Sequence, residues 1–136
     1  MLIDRYNEDD LTISFDAAYD VFKKATEYWL NKFGMHDWEV YIDCKNQPGY
    51  YAHFDINWEG KMVQIDISNA PETVWTEERA KQTAFHEVLE VLLFEQKHIM
   101  ETIKDEDARL EALEANRHEL IHRLMPICLT AKAAGY

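Results

Sequence analysis

The feature that most constrains the fold of this sequence is a change in the spacing of its apolar residues, which occurs twice. Between residues 15 and 33 the apolar side chains recur at steps of three and four, which places them on one face of an α-helix. Ser14 precedes this stretch as an N-cap, and Gly34 follows it as a stop. From residue 38 to residue 68 apolar and polar side chains alternate, and from residue 76 the helical spacing returns. The chain is therefore expected to have an α+β fold.

The alternating stretch divides into three candidate strands. Turn sequences at residues 46–49 and 59–60 separate runs that begin near Trp38, Tyr50 and Val63. Alternating runs joined by short turns are typical of antiparallel strands that have one face on the core and one face in water. We therefore predict a three-stranded antiparallel meander.

Two helices are expected after the meander. The first begins at Thr76 and is apolar nearly all round its wheel between residues 85 and 94, so it should be the most buried helix. Residues 104–107 break it and cap the last helix, in which Pro126 should cause a kink. The predicted architecture is an N-terminal helix, the meander and two antiparallel helices, within one domain over residues 1–136.

The formal net charge of -12 disfavours direct binding of nucleic acid, because such a charge repels phosphates. No apolar run approaches the length of about 18–20 residues that a membrane span needs, and Met1–Asp10 does not resemble a signal peptide. Cys44 and Cys128 do not form a disulfide framework, and their apolar surroundings in the sequence predict buried thiols. A cytoplasmic protein with no membrane partner is the expectation.

The candidate chemical centre is the segment from His86 to Glu90 in the predicted central helix. A buried ionised carboxylate without a partner costs several kcal/mol, so polar residues inside such a helix need a reason. His86 and Glu90 are four residues apart and share one helix face, where both side chains can reach one ion. Glu87 points elsewhere and could hold a water that the ion also binds. The arrangement is that of the H-E-x-x-H zinc helix, with Glu90 at the position of the second histidine.

A third metal ligand is expected from the last helix, because a catalytic zinc usually has three protein ligands and a water. Glu114 and His118 are again four residues apart, at the edge of the apolar face of that helix. An antiparallel return would bring this helix alongside the first. The predicted site is His86, Glu90 and either Glu114 or His118.

These residues resemble the minimal zincin-type metallopeptidases often encoded by phages, which are related in architecture to SprT-like and ImmA/IrrE-like domains. The resemblance rests on residues 85–93 and 114–124 and covers roughly residues 14–130. It implies a metal held by the H-E-x-x-H-type helix and by a residue of the following helix, with Glu87 as general base. It also implies an edge strand that holds an extended peptide, matched here by residues 63–68, and a host-cytoplasmic location if the chain is phage-encoded.

Glu90 departs from the pattern of that family. With Glu114 as third ligand, one histidine and two carboxylates would bind zinc less distinctively and would also admit manganese or iron. The expected function is a metal-dependent peptidase, active or degenerate, that acts on a peptide or protein substrate. The alternative is a non-catalytic acidic binding module on the same fold, such as an inhibitor or adaptor of a host protein. The residues indicate no oligomeric state.

Two further expectations bear on this site. Arg117 should pair with a carboxylate, either Glu90 or a neighbouring glutamate. A pair with Glu90 would weaken the metal hypothesis because that charge would already be matched. His53, Asp55 and Asn57 project together from one face of the second strand, and we expect this face to be solvated.

Overall fold

The computed structural model describes residues 11–133 of the chain, with side chains described to residue 127. The expectations about Met1–Asp10 and the Cys128 thiol lie outside these residues. Within them the chain forms helix α1 (Phe15–Lys32), strands β1 (Glu39–Lys45), β2 (Ala52–Asn57) and β3 (Met62–Ser68), and helices α2 (Glu77–Thr102) and α3 (Glu106–Ala133). The α+β class and the order of helices and strands are as predicted.

Local sequence signals position the helix ends. The Ser14 hydroxyl accepts a hydrogen bond from the Ala17 N–H at 3.1 Å, and the Thr76 hydroxyl accepts one from the Arg79 N–H at 3.0 Å. Each bond satisfies one of the backbone donors that a helix start leaves open. Gly34, just past the end of α1, has a φ of +66°, a conformation that glycine adopts without steric cost. The Ser14 cap and the Gly34 stop are confirmed, and α2 begins at Glu77, one residue after the predicted start at Thr76.

The sheet is mixed, and the predicted antiparallel meander is wrong. β3 lies in the middle, parallel to β1 and antiparallel to β2, so the strand order is β1-β3-β2. The connection from β1 to β2 passes the end of β3, where the Asn69 N–H donates to the Lys45 carbonyl and the Ser68 N–H donates to the Tyr51 carbonyl. Strand alternation fixes which side chains share a face but not which strands are neighbours.

The central place of β3 follows from its burial. Val63, Ile65 and Ile67 are at most 1% exposed, and Asp66 and Ser68 on the opposite face are buried as well. The resemblance implied that residues 63–68 form the strand edge that holds a peptide. That implication is wrong, because both sides of β3 are already paired with neighbouring strands.

Helices α1 and α2 cover one face of the sheet. The core joins Ala18 and Phe22 of α1, the apolar side chains of β3, and Ala84, Val88 and Val91 of α2. As predicted for the central helix, α2 contributes seven buried residues, the largest such group among the helices whose buried residues are described. The buried arc nevertheless leaves Leu93 exposed, and Phe85 is partly exposed beside α1, where its ring centroid is 4.7 Å from that of Trp29.

Helix α3 packs back along α2 through a few defined contacts. The Asn116 amide donates to the Glu95 carboxylate at 2.7 Å. The Arg123 guanidinium donates to the carbonyls of Phe33 and Gly34 at 2.6 and 2.9 Å, which ties α3 to the C-terminus of α1. Pro126 lies inside α3, and the kink expected there stays a prediction.

Two other expectations can be compared with the described residues. The Cys44 thiol is exposed, so its predicted burial is wrong: β1 is an edge strand and leaves that end of the sheet in water. No helix in the described part of the chain has the length and apolar character needed to cross a membrane.

Candidate functional site

The site begins with β2, which among the described residues pairs with β3 alone. Tyr51 and Ser68 form a hydrogen-bonded pair, in which the Ser68 N–H donates to the Tyr51 carbonyl at 2.8 Å. Hydrogen-bonded and non-hydrogen-bonded pairs alternate along antiparallel strands. The register therefore turns the backbone N–H and C=O groups of Ala52, Phe54 and Ile56 away from β3.

Helix α2 runs beside this edge of β2, and a shallow groove of about 250 Å³ separates them. The ring centroids of Phe54 and Phe94 are 6.5 Å apart, and those of Trp58 and His98 are 5.8 Å apart. The contact between Phe54 and Phe94 makes one wall of the groove aromatic, whereas Trp58 and His98 lie outside its lining. The residues that line it are Phe54, His86, Leu89, Glu90, Leu93, Phe94 and Lys97. The groove is apolar at its base and carries charged and polar groups on its rim.

His86 and Glu90 lie together on this rim, as their spacing predicts. The His86 Nε2 and Glu90 Oε1 atoms are 3.4 Å apart, and the two side chains are 67% and 52% exposed. The expectation that both are buried is wrong. A helix that is apolar nearly all round does not reveal which arc faces the core, and here Leu93 shares the exposed arc with His86 and Glu90.

Glu87 is the buried polar residue of the motif, with only 6% of its surface exposed. It lies about 100° around the helix from His86, toward the sheet. No hydrogen bond to its carboxyl is found among the described residues. Burial raises the pKa of the Glu87 carboxyl above its ordinary value and the charge of Glu90 raises it further, whereas His86 and His53 lower it. Glu87 is thus a carboxyl in the electrostatic neighbourhood of both the rim of the groove and β2.

Glu114 and His118 lie together on α3, and neither approaches His86. The Glu114 carboxylate is 2.6 Å from Arg117 Nη2 and 3.3 Å from His118 Nε2, with all three side chains more than half exposed. The hydrogen bond from Arg117 lowers the pKa of the Glu114 carboxyl. Arg117 therefore pairs with a neighbouring glutamate, as predicted, and not with Glu90.

Helical geometry explains this separation. Glu114 and His118 are each two positions from Asn116, which faces Glu95 of α2. Two positions turn through about 200°, so both side chains point away from α2. Glu95 and His86 are nine positions apart, which is about 900° and places them on opposite faces of α2. Helix α3 therefore contacts the side of α2 that faces away from His86.

The donor set for a metal is consequently incomplete. Among the described residues no group of three or more His, Cys, Asp or Glu side chains is placed to hold a metal ion. His86 and Glu90 supply two ligands, whereas catalytic zinc sites usually have three. The residues present do not fit the three-ligand site that the sequence predicted.

The outer face of β2 is solvated, as expected. His53 and Asp55 are exposed, with His53 Nε2 3.5 Å from Asp55 Oδ1. Sequence reasoning missed the outward backbone of β2 and the apolar groove beside it. Knowing that β2 is an edge strand would have revealed both, but the alternation of its residues does not distinguish an edge from a centre.

Comparisons of the chain with protein-family models, curated proteins and solved structures find no match. The geometry of the described residues is therefore the basis for a functional proposal.

Proposed function

We propose that this protein is a non-catalytic binding module that takes up an extended segment of a partner protein along the open edge of β2. The outward backbone of Ala52, Phe54 and Ile56 beside the groove of α2 carries this proposal. An extended segment added to a sheet edge gains main-chain hydrogen bonds, and pockets for alternate side chains give it specificity. The groove supplies such a pocket.

The charge of the protein defines the kind of partner. The net charge of -12 attracts basic segments and repels acidic ones. Next to the edge, Glu87, Glu90 and Asp55 supply three carboxyl groups. We therefore expect an unstructured basic segment of a protein, which also agrees with the role of an inhibitor or adaptor.

A metal-dependent peptidase is the second candidate, and Glu87 favours it. In such an enzyme a carboxyl group beside the metal ligands takes a proton from water. Glu87 stands next to His86 and Glu90 and near the strand that would hold a peptide. The incomplete donor set argues against this candidate, because a third ligand would have to move into the site.

Two measurements test these candidates. A random heptapeptide display library is selected on the immobilised protein, and amide hydrogen exchange is recorded with a selected peptide. Strand addition predicts slower exchange at Ala52, Phe54 and Ile56 and unchanged exchange at Cys44 on the opposite edge. A library that yields no binders would overturn the binding module.

Elemental analysis of the purified protein, with His86→Ala alongside, tests the peptidase. About one zinc, manganese or iron per chain that is lost in the variant would favour the second candidate. Absence of metal from both proteins after reconstitution would remove it.

A further inference from the structure

We infer that the groove between β2 and α2 is a subsite for one large apolar side chain of an added strand. The residue that supplies this side chain pairs with Phe54, and leucine, methionine and phenylalanine have the chemistry that fits. The inference rests on the proposed binding of a basic extended segment along β2. It adds which position of that segment the protein selects.

The lining of the groove is mainly apolar. Phe54 of β2 forms one side, and Leu89, Leu93 and Phe94 of α2 form the other. The rings of Phe54 and Phe94 meet edge to face, with an interplanar angle of 83°. Aromatic and branched aliphatic surfaces gain free energy when an apolar group displaces water from them. This lining therefore favours an apolar ligand group.

Leu93 is the part of the lining that an added strand would cover. It is 42% exposed, whereas Val91 and Leu92 beside it in the sequence are buried. Leu89 and Phe54 already pack against the core. The apolar surface that a ligand can still remove from water in this groove is therefore concentrated at Leu93.

The groove has the size of a side chain. Its volume is about 250 Å³, whereas pockets for whole small-molecule ligands usually measure about 300–1,000 Å³. A single side chain, carried by a backbone that is hydrogen-bonded to β2, fits this space.

The outward backbone of β2 determines which ligand residue reaches the groove. The N–H and C=O groups of Phe54 point away from β3, so an antiparallel strand can exchange two hydrogen bonds with this residue. Residues paired in this way direct their side chains to the same face, with Cβ atoms about 4.5–5.5 Å apart. Phe54 faces α2, so its partner residue does as well. The residues before and after that partner point to the solvated face, beside His53 and Asp55.

Charge complementarity identifies the source of the apolar side chain. The net charge of -12 opposes the pairing of two copies of this chain and attracts a basic segment. The alternation of an added strand separates the two kinds of residue that such a segment carries. Its basic residues stay in water on the solvated face, while its apolar residue enters the groove. The occupant is therefore a basic partner segment with a central apolar residue.

Selection of random heptapeptides on three proteins tests the inference. On the unmodified protein we expect leucine, methionine or phenylalanine to be enriched at one fixed position. On Leu93→Asn, which replaces the exposed leucine by a polar side chain of similar size, we expect that enrichment to disappear. On Leu110→Asn, which makes the same change at an exposed leucine of α3 outside the groove, we expect it to persist.

Affinity measurements with a selected peptide complete the test. Replacing its fixed apolar residue by alanine should weaken binding to the unmodified protein about tenfold or more, because a large buried apolar side chain is lost. Leu110→Asn should show the same ratio between the two peptides, and Leu93→Asn a smaller one. An equal ratio for all three proteins would overturn the placement of the side chain against Leu93.

The other contrary results separate the inference from the proposed function. Peptides that slow amide exchange at Phe54 but share no apolar position would overturn the inference and leave the binding module intact. A library without binders would overturn both. A dimer in sedimentation measurements that Leu93→Asn dissociates would assign the groove to a second copy of this chain, and it would also overturn the inference.

Discussion

The two edges of the sheet have different surroundings. On β1 the outward carbonyl of Ile42 accepts a hydrogen bond from the Tyr19 hydroxyl at 2.8 Å, and the Cys44 N–H donates to the Asp43 side chain at 2.8 Å. On β2 the outward groups have no such side-chain partners among the described residues. Sheet edges readily pair with other chains, and proteins commonly cover or charge them. The contrast indicates that β1 is protected and that β2 is available.

The composition of the strands agrees with this contrast. β1 carries Glu39, Asp43 and Lys45, and charged residues are a common means of keeping a strand edge unpaired. β2 carries Asp55 as its one formal charge and has the apolar groove beside it. A covered edge contributes to stability, whereas an open edge beside a groove can recruit a partner.

The strongest test of the comparison blocks the open edge. Ala52→Pro removes an outward N–H at the first residue of β2, where proline is tolerated, and leaves the bonds to β3 in place. We expect about a tenfold or greater loss of affinity for a selected peptide, because one hydrogen bond is lost and the proline ring obstructs the edge. Fluorescence anisotropy with a labelled peptide measures the change.

Cys44→Pro is the matched control for this variant. Ala52 and Cys44 lie opposite the same residue, Ile67, on the two sides of β3. The control should bind the peptide as the unmodified protein does. An equal loss of affinity in both variants would show that the two edges are not functionally distinct.

A second prediction asks whether the buried carboxyl beside β2 lowers stability. Because the pKa of Glu87 is raised in the folded protein, the folded state binds more protons than the unfolded state between the ordinary and the raised pKa. The contribution of Glu87 to stability is therefore full below its ordinary pKa and is lost as pH rises through the raised pKa. Glu87→Gln should remove this loss and be more stable than the unmodified protein at neutral pH.

Urea unfolding at several pH values measures the effect of Glu87→Gln, with Glu101→Gln as the exposed control. The free energy of unfolding should fall less with rising pH in Glu87→Gln than in either of the other proteins. Parallel curves for all three proteins would mean that Glu87 titrates as an ordinary surface carboxyl.

The third prediction concerns the hydrogen bond from Tyr19 that covers the edge of β1. Tyr19→Phe deletes the hydroxyl that donates to the Ile42 carbonyl and should lower the free energy of unfolding by about 0.5–1.5 kcal/mol. The variant should gain no second peptide site, because the cleft of about 430 Å³ beside β1 is lined by charged side chains such as Lys23, Glu27 and Asp43 and is not apolar like the groove beside β2. Urea unfolding and peptide titration measure the two expectations, and a binding stoichiometry of two would contradict the second.

Local sequence signals predicted the helices and strands of this fold but not the pairing of the strands. Ser14, Thr76 and Gly34 act within one turn of the chain, so their effect is visible in the sequence. The parallel pairing of β1 with β3 joins residues 23 positions apart, such as Glu39 and Met62, and depends on burial of the whole sheet. One signal in the sequence favoured a central position for β3: it carries a single charged residue, Asp66, whereas β1 carries three.

The candidate site was predicted in part for a similar reason. The spacing of His86 and Glu90 correctly placed them together, since four residues make about one helical turn. Which arc of α2 faces the core depends on where β2 and α1 pack, and the sequence of α2 does not contain that information. The buried polar residue of the motif is therefore Glu87, which was predicted to hold a water beside the metal ion.

The smallest expected effect concerns α3 and tests the separation of its polar residues from the open edge. Glu114→Gln and His118→Ala alter exposed side chains that pair with each other on the side of α3 away from α2. Neither variant should change the peptide affinity, and stability should change by less than about 0.5 kcal/mol, as for most surface substitutions. Anisotropy titration and urea unfolding measure both quantities, with Leu93→Asn as the positive control for loss of peptide affinity. A loss of bound metal or of peptide affinity in either variant would mean that α3 reaches the groove in solution, and it would restore the third ligand that the peptidase needs.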